Sequence, residues 1–385
     1  MKKQTFYKIL LAASLAISLC ACRKDPEIIP EEPVPAPPQT VTTIEGFYLL
    51  NEGNMTMNKA SLDYYDYAEG VYRRNIYEQA NPEAVKGLGD VGNDIGIYGS
   101  KLYVVVNCSN KVEVLDVKTA KRIKVIDVQN CRYITFANGK AYVSAYDGEV
   151  GIGGSTPNGF VAEIDTTTLN IERTVLVGRQ PEEMAVVNSK LYVANSGGYS
   201  PPNYERTISV IDLQSFTKIK DIDVAINLHR LKADEYGDLY VSSRGDYFTI
   251  PSKLFVVDTN TDAVKTSFDI AVSNLTIVRD TAYIIGSEFS YITHDWEINY
   301  HMLDVKNETL LSGGFITDGT EAGIKTPYGI AVDPISRNIY ITDAGNYVTP
   351  GKLYCYNKEG ALWYDVTTGD IPAHFAFVYK TTQVN

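Results

Sequence analysis

An Asp, once replaced by Asn, recurs seven times along this 385-residue chain, at Asp66, Asp116, Asp165, Asp212, Asp258, Asp304 and Asn357. Grouped carboxylates can bind a metal or move protons. Each of these, however, ends a short strand-like run such as VEVLDV, VAEID or ISVIDL, where an Asp or Asn side chain accepts a backbone amide two residues on. The pattern predicts turns rather than a catalytic ring. The histidines, His229, His294, His301 and His374, fall in different repeats or at opposite ends of one. Neither HExxH nor GxSxG occurs, and ADEYGDLY lacks the acidic spacing of a calcium loop. His294, beside Asp295 and Trp296, is one acid–base candidate, but a surface-loop His is more often solvated. GLGDVG at 87–92 spells GxGxxG without a strand-to-helix setting, so its glycines read as a turn needing positive φ. No enzyme, metal or cofactor is expected.

The chain concentrates recognition chemistry instead. Its longest loops, among them NSGGYSPPNYER, SSRGDYFTIPSK and GSEFSYITHDWEIN, carry Tyr146, Tyr199, Tyr204, Tyr247, Phe248, Tyr291, Trp296 and Tyr347. Amphipathic aromatics supply large contact area at low entropic cost. A polar series accompanies them: Asp94, Tyr133, Glu183, Arg230, Asn274, Gly329 and His374, preceded by Asn93, Arg132, Glu182, His229, Ser273, Tyr328 and Ala373. Asn51 in GFYLLNEG and Arg244 in DLYVSSR join the binding set. A polar floor under an aromatic rim is what a specific pocket requires. Two blander readings stand beside it: the aromatics pack their own loops, and the polar ring holds water.

Repeats position these side chains. An apolar-Tyr-apolar core recurs around Tyr48, Tyr103, Tyr142, Tyr192, Tyr240, Tyr283 and Tyr340, each followed by a second strand ending at the shared Asp or Asn. A further apolar run lies before and after each pair. Four antiparallel strands repeated seven times predict an all-β, seven-bladed β-propeller. IPAHFAFVY, 371–379, has the innermost-strand pattern but no Tyr-containing strand after it; GFYLLNEG at 46–53 is its missing successor. The C-terminal strand is therefore expected to complete the first blade and close the ring. The interval from shared Tyr to shared Asp or Asn runs from 13 to 23 residues, and the long loops fall at one end of the blades.

The N-terminus reads as a targeting segment: basic MKKQTFYK, a short apolar ILLAASLAISL, then LCAC. The expected organisation is a signal peptide over 1–21, a Pro- and Glu-rich tether over 22–44, and the propeller over 45–385. LCAC resembles the bacterial lipoprotein box, which implies lipidation of Cys22 and anchoring at the outer membrane; a cleaved secretory signal and a plain membrane anchor are the alternatives. RKDPE after Cys22 resembles the surface-export signal of Bacteroidota lipoproteins and implies exposure on the cell exterior. The net charge of −12 argues against a nucleic-acid partner, because phosphate binding needs clustered Lys and Arg that this sequence does not show. Cys108, Cys131 and Cys355 make an odd set without CxxC, read as buried small apolar residues, with a Cys108–Cys131 bridge as the alternative.

LYVANS with ISVIDL resembles the YVTN propeller repeat. Together with the lipoprotein start, the ordered chain is similar to the BtuG family of surface lipoproteins, INLHRLKADEYGDLYVSSRGDY at 226–247 carrying most of the likeness. That resemblance implies a bound cobalamin and a TonB-dependent outer-membrane transporter as partner, with the aromatic and polar residues above meeting the corrinoid. Two other functions fit the same residues: a glycan-binding surface lipoprotein, and a propeller lyase using His294, His229 or His374 as base.

Overall fold

β-Branched and aromatic side chains follow one another along runs such as KLYVVV. Because successive side chains point to opposite faces, such a run buries both faces of its strand between neighbouring sheets, as the partner run KVEVLD also does. These two runs pair antiparallel with Tyr103 opposite Val114. The computed structural model describes residues 39–148, 151–153, 156–290 and 295–384, and groups Thr42–Lys380 as one compact unit. Within it lie seven four-stranded antiparallel sheets. They are the blades of a β-propeller, as the repeats predict. The signal segment, Cys22, Tyr291 and His294 lie outside the described residues.

Blades two to seven are simple meanders, for example Gly92–Tyr98, Lys101–Val106, Lys111–Asp116 and Arg122–Asp127 from inside to outside. The first blade is composite: the C-terminal strand Pro372–Val384 is innermost, followed by Gln39–Asn51, Ser61–Asp66 and Val71–Arg73. The expected closure is observed. Its second strand starts at Gln39, earlier than composition indicates, because β-branched TVTTI extends the ladder. Helix is almost absent; one turn, Ile76–Ala80, lies in the long crossing to the second blade. Among the described residues no helix is long and apolar enough to cross a membrane.

The two recurring positions are physically coupled. Every shared Asp or Asn turns as predicted: Asp116 Oδ1 accepts from the amides of Lys118 and Thr119, and Asp165 from those of Thr167 and Thr168. The shared tyrosines are buried between blades. The Tyr48 hydroxyl of blade one donates 2.7 Å to the carbonyl of Val117, the residue after Asp116 in blade two. Tyr240 of blade five repeats the contact with Val305, after Asp304 of blade six. Tyr340 of the last blade meets the hydroxyl of Tyr67, after Asp66 of the first, at 2.8 Å, so the motif crosses the closure. Where the contact forms, as it also does from Tyr192 to the Thr259 carbonyl at 3.5 Å, one repeat ties to the turn of the next. The Tyr103 hydroxyl finds no such partner among the described residues, but its ring, like the others, fills an inter-blade core, where one such aromatic contributes about 1.5–3 kcal/mol. Cys108, Cys131 and Cys355 are free thiols, and burial pushes Cys131 up to about 12 and Cys355 up to about 11.

Candidate functional site

The innermost strands begin, and the second strands end, at the face that carries the long loops. There the entrance of the inner strand carries a backbone bulge in blades two to five and in blade seven, as between Pro181 and Met184 or Leu228 and Leu231. Bulges re-aim side chains. Glu182 and Glu183, or His229 and Arg230, consequently serve opposite purposes although adjacent in sequence.

One residue of each pair can join blade to blade. Asp94 accepts the amide of Ile134 in the next blade at 2.9 Å, and Glu183 that of Leu231 at 2.8 Å. Asn274 donates 2.9 Å to the Tyr328 carbonyl. At the seventh blade the position is Gly329, where a Cβ would stand 2.2 Å from the Ala373 carbonyl oxygen of the neighbouring strand. With Arg230 and His374, these side chains line an axial cavity of about 630 Å³. Burial, opposed by His374, raises the Asp94 carboxyl above its ordinary value.

The other series faces the loops. Glu182, 2% exposed, accepts from Arg132 Nη2 at 3.0 Å and from the Tyr146 hydroxyl at 2.8 Å, with Arg244 Nη1 at 3.6 Å. Burial works against its ionisation, but the Arg132 and Arg244 guanidiniums hold the carboxyl below its usual range. Arg132 lies over the Tyr146 ring at 5.2 Å. Glu52 accepts from the Tyr328 hydroxyl at 2.8 Å and meets His374 Nε2 at 3.1 Å.

Beside this network opens a cavity of about 720 Å³ between blades five, six and seven. Arg230, His229 and Tyr328 stand at its base with Arg244; Tyr247, Phe248 and Trp296 form its wall. The wall aromatics are 55%, 78% and 61% exposed, more than loop packing alone requires. His229 is held neutral, first by burial and then by the guanidiniums of Arg244, Arg230 and Arg132.

Six residues expected at a site therefore meet in one cavity: His229, Arg230, Arg244, Tyr247, Trp296 and Tyr328. Arg132, Tyr133 and Tyr146 belong to the adjoining polar network. Tyr347 packs edge-on to Tyr328 and Tyr199 to Tyr146, at 6.0 and 6.3 Å between centroids, while Tyr204 is half-buried near Tyr247. Asn51 is fully buried inside its hairpin, donating 3.1 Å to Ser61 Oγ, and does not reach the cavity. Glu52, and the walls supplied by Ile250 and Pro251, were not legible as site residues; Glu52 directly follows Asn51 at a strand end, which is the one local signal for it. Among the described residues no cluster of three metal-ligating side chains occurs.

A family model for a domain of unknown function, DUF5074, matches residues 45–377. The chain belongs to that family. The match spans the whole ring, so the DUF5074 domain in this chain is the propeller itself. Comparison with the curated proteins finds no match. Among solved structures the DUF5074 propeller is similar to a quinonprotein alcohol dehydrogenase-like protein of Bacteroides thetaiotaomicron VPI-5482, at 15% identity and TM-score 0.58 over 86% of this chain and 78% of that one. It is similar to a putative 6-phosphogluconolactonase of Bacteroides fragilis NCTC 9343, at 10% identity and TM-score 0.59 over 87% and 98%. A functionally unknown protein of Desulfotomaculum acetoxidans DSM 771 gives 9% identity and TM-score 0.59 over 86% and 98%. At such identities the likeness establishes the fold, and function has to be argued from the site.

Proposed function

We propose that this chain is a non-enzymatic, lipid-anchored surface protein that captures cobalamin or a related corrinoid on its loop face and passes it to a TonB-dependent outer-membrane transporter. The observation that carries the reading is the 720 Å³ cavity, with exposed Tyr247, Phe248 and Trp296 above a floor of Arg230, His229 and Tyr328. Aromatic faces suit the apolar edge of a corrin, while guanidinium and imidazole donors suit its amide fringe. The LCAC box supports the anchor, and the acidic residues after Cys22 support the outward orientation. The capture role needs no protein ligand to the corrin metal.

The test is co-elution. Purified protein mixed with cyanocobalamin and passed over a sizing column is expected to carry the red chromophore in the protein peak. Absence of the chromophore at micromolar protein overturns the corrinoid reading, and binding on a glycan array in its place transfers the site to a carbohydrate.

A further inference from the structure

The arginines at this mouth are not equivalent. Arg132 and Arg244 share the Glu182 carboxylate. Arg230, only 7% exposed, has neutral partners alone: Nη1 donates 3.2 Å to the Tyr133 hydroxyl and Nε 3.5 Å to the Ser273 carbonyl. Among the described residues it forms no ion pair. The carboxylates that act on it from beyond ion-pair distance hold their hydrogen bonds elsewhere, Glu183 with the Leu231 amide and Lys232, Glu52 with Tyr328 and His374. A guanidinium has five donors in a rigid fork, and a buried one is costly without a counter-charge. Arg230 lines the cavity with its remaining donors unused by those two bonds.

The neighbouring imidazole adds a donor. The Tyr133 oxygen accepts from Arg230, which can only donate, and stands 3.0 Å from His229 Nε2. The arrangement that satisfies all three groups has the Tyr133 proton on the line to Nε2. A neutral His229 then carries its proton on Nδ1. Arg244 completes the positive base, since its carboxylate partner at 3.6 Å is already shared with Arg132 and Tyr146.

We propose that the loop-face cavity seats a phosphate ester of its ligand between Arg230 and Arg244, with His229 as a further hydrogen-bond donor. Fork-shaped guanidiniums are matched to phosphate oxygens, and a phosphate supplies the direct ionic partner that Glu183 and Glu52, acting on Arg230 from beyond ion-pair distance, do not. The inference rests on the loop face being a capture surface and narrows its ligand: corrinoids that keep the phosphodiester of the nucleotide loop bind through it, and phosphate-free ones lose that contact.

Two matched pairs test the seat, cyanocobalamin against dicyanocobinamide and flavin mononucleotide against riboflavin, each pair differing by presence of the phosphate-bearing part. Affinities are read by tryptophan fluorescence and calorimetry for the wild type, Arg230→Gln and Arg244→Gln. Within a pair that binds, the wild type is expected to prefer the phosphate-bearing member by about tenfold or more, and either variant to bring the ratio close to one. A ratio near one in the wild type, or an unchanged ratio in folded variants, overturns the seat. Equal binding of both corrinoids removes the seat and leaves corrinoid capture standing. Discrimination between the flavins with no corrinoid bound does the reverse, and no binding by either pair removes both. Should both variants misfold, competition of inorganic phosphate with flavin mononucleotide on the wild type decides, absence of competition counting against the seat.

Discussion

Tyr133 in the third blade and His229 in the fifth meet oxygen to Nε2 at 3.0 Å, bypassing the fourth blade altogether. A single hydroxyl thus links two non-adjacent blades at the mouth of the ring, and the Arg230 guanidinium approaches the same oxygen at 3.2 Å.

Tyr133→Phe tests that link. It deprives both Arg230 and His229 of a partner in a buried setting, which is expected to lower stability by about 1–3 kcal/mol. A urea melt followed by circular dichroism measures it, and an unchanged midpoint means that water replaces the hydroxyl without loss.

Glu182→Gln removes the carboxylate that faces Arg132 and Arg244. Breaking a buried pair while its guanidiniums stay is expected to cost about 3–5 kcal/mol. Adding Arg132→Met to the same chain should recover part of that loss. A double variant no more stable than Glu182→Gln alone shows that the two side chains are uncoupled.

Acid sensitivity follows from His229. Its folded-state ionisation lies well below 6.5, through burial and then the facing Arg244, Arg230, Arg132 and His374. The unfolded chain therefore takes up a proton that the folded one refuses, so stability is full above 6.5 and falls toward acid. The slope is about 1.4 kcal/mol per pH unit at most for this group. His301, lowered by burial, adds in the same direction, whereas Asp94, raised by burial, acts in the opposite one. Urea midpoints between pH 7.5 and 5.5 are expected to fall less steeply in His229→Asn than in the wild type; parallel slopes contradict the assignment.

Two pairs of rim aromatics separate recognition from loop packing. Tyr247→Ala with Trp296→Ala is expected to weaken corrinoid binding by about 30-fold or more, because both wall the cavity. Tyr199→Ala with Tyr204→Ala should change affinity by less than about threefold, Tyr199 being turned edge-on against Tyr146. Isothermal titration with cyanocobalamin distinguishes the pairs, and equal losses make the rim one continuous surface.

Seven blades, their closure and the loop face were legible because strand period, turn chemistry and repeat spacing are local properties that recur in order. Asp116 reads as a turn residue from six letters of sequence. The partnership of Tyr48 with Val117 does not, because 69 residues separate them and only the ring brings them together. The same limit applies at the site. His229 and Arg230 were visible as polar positions at a strand entrance, yet nothing local distinguishes Glu183, bonded to the backbone of the next blade, from Glu182, shared by two arginines. A backbone bulge decides between them, and its effect appears only in three dimensions.

The composite first blade has a consequence for how the molecule comes into being. A chain that emerges from its N-terminus presents the three outer strands of that blade while the strand that completes them is still about 300 residues away. At about 5–20 residues per second, that bare edge waits roughly 15–60 s, an open template for a second chain. Assembly is therefore most vulnerable at its seam. A circular permutant whose new ends fall between two ordinary meanders would make both halves of the seam in one continuous stretch and should refold with less aggregation.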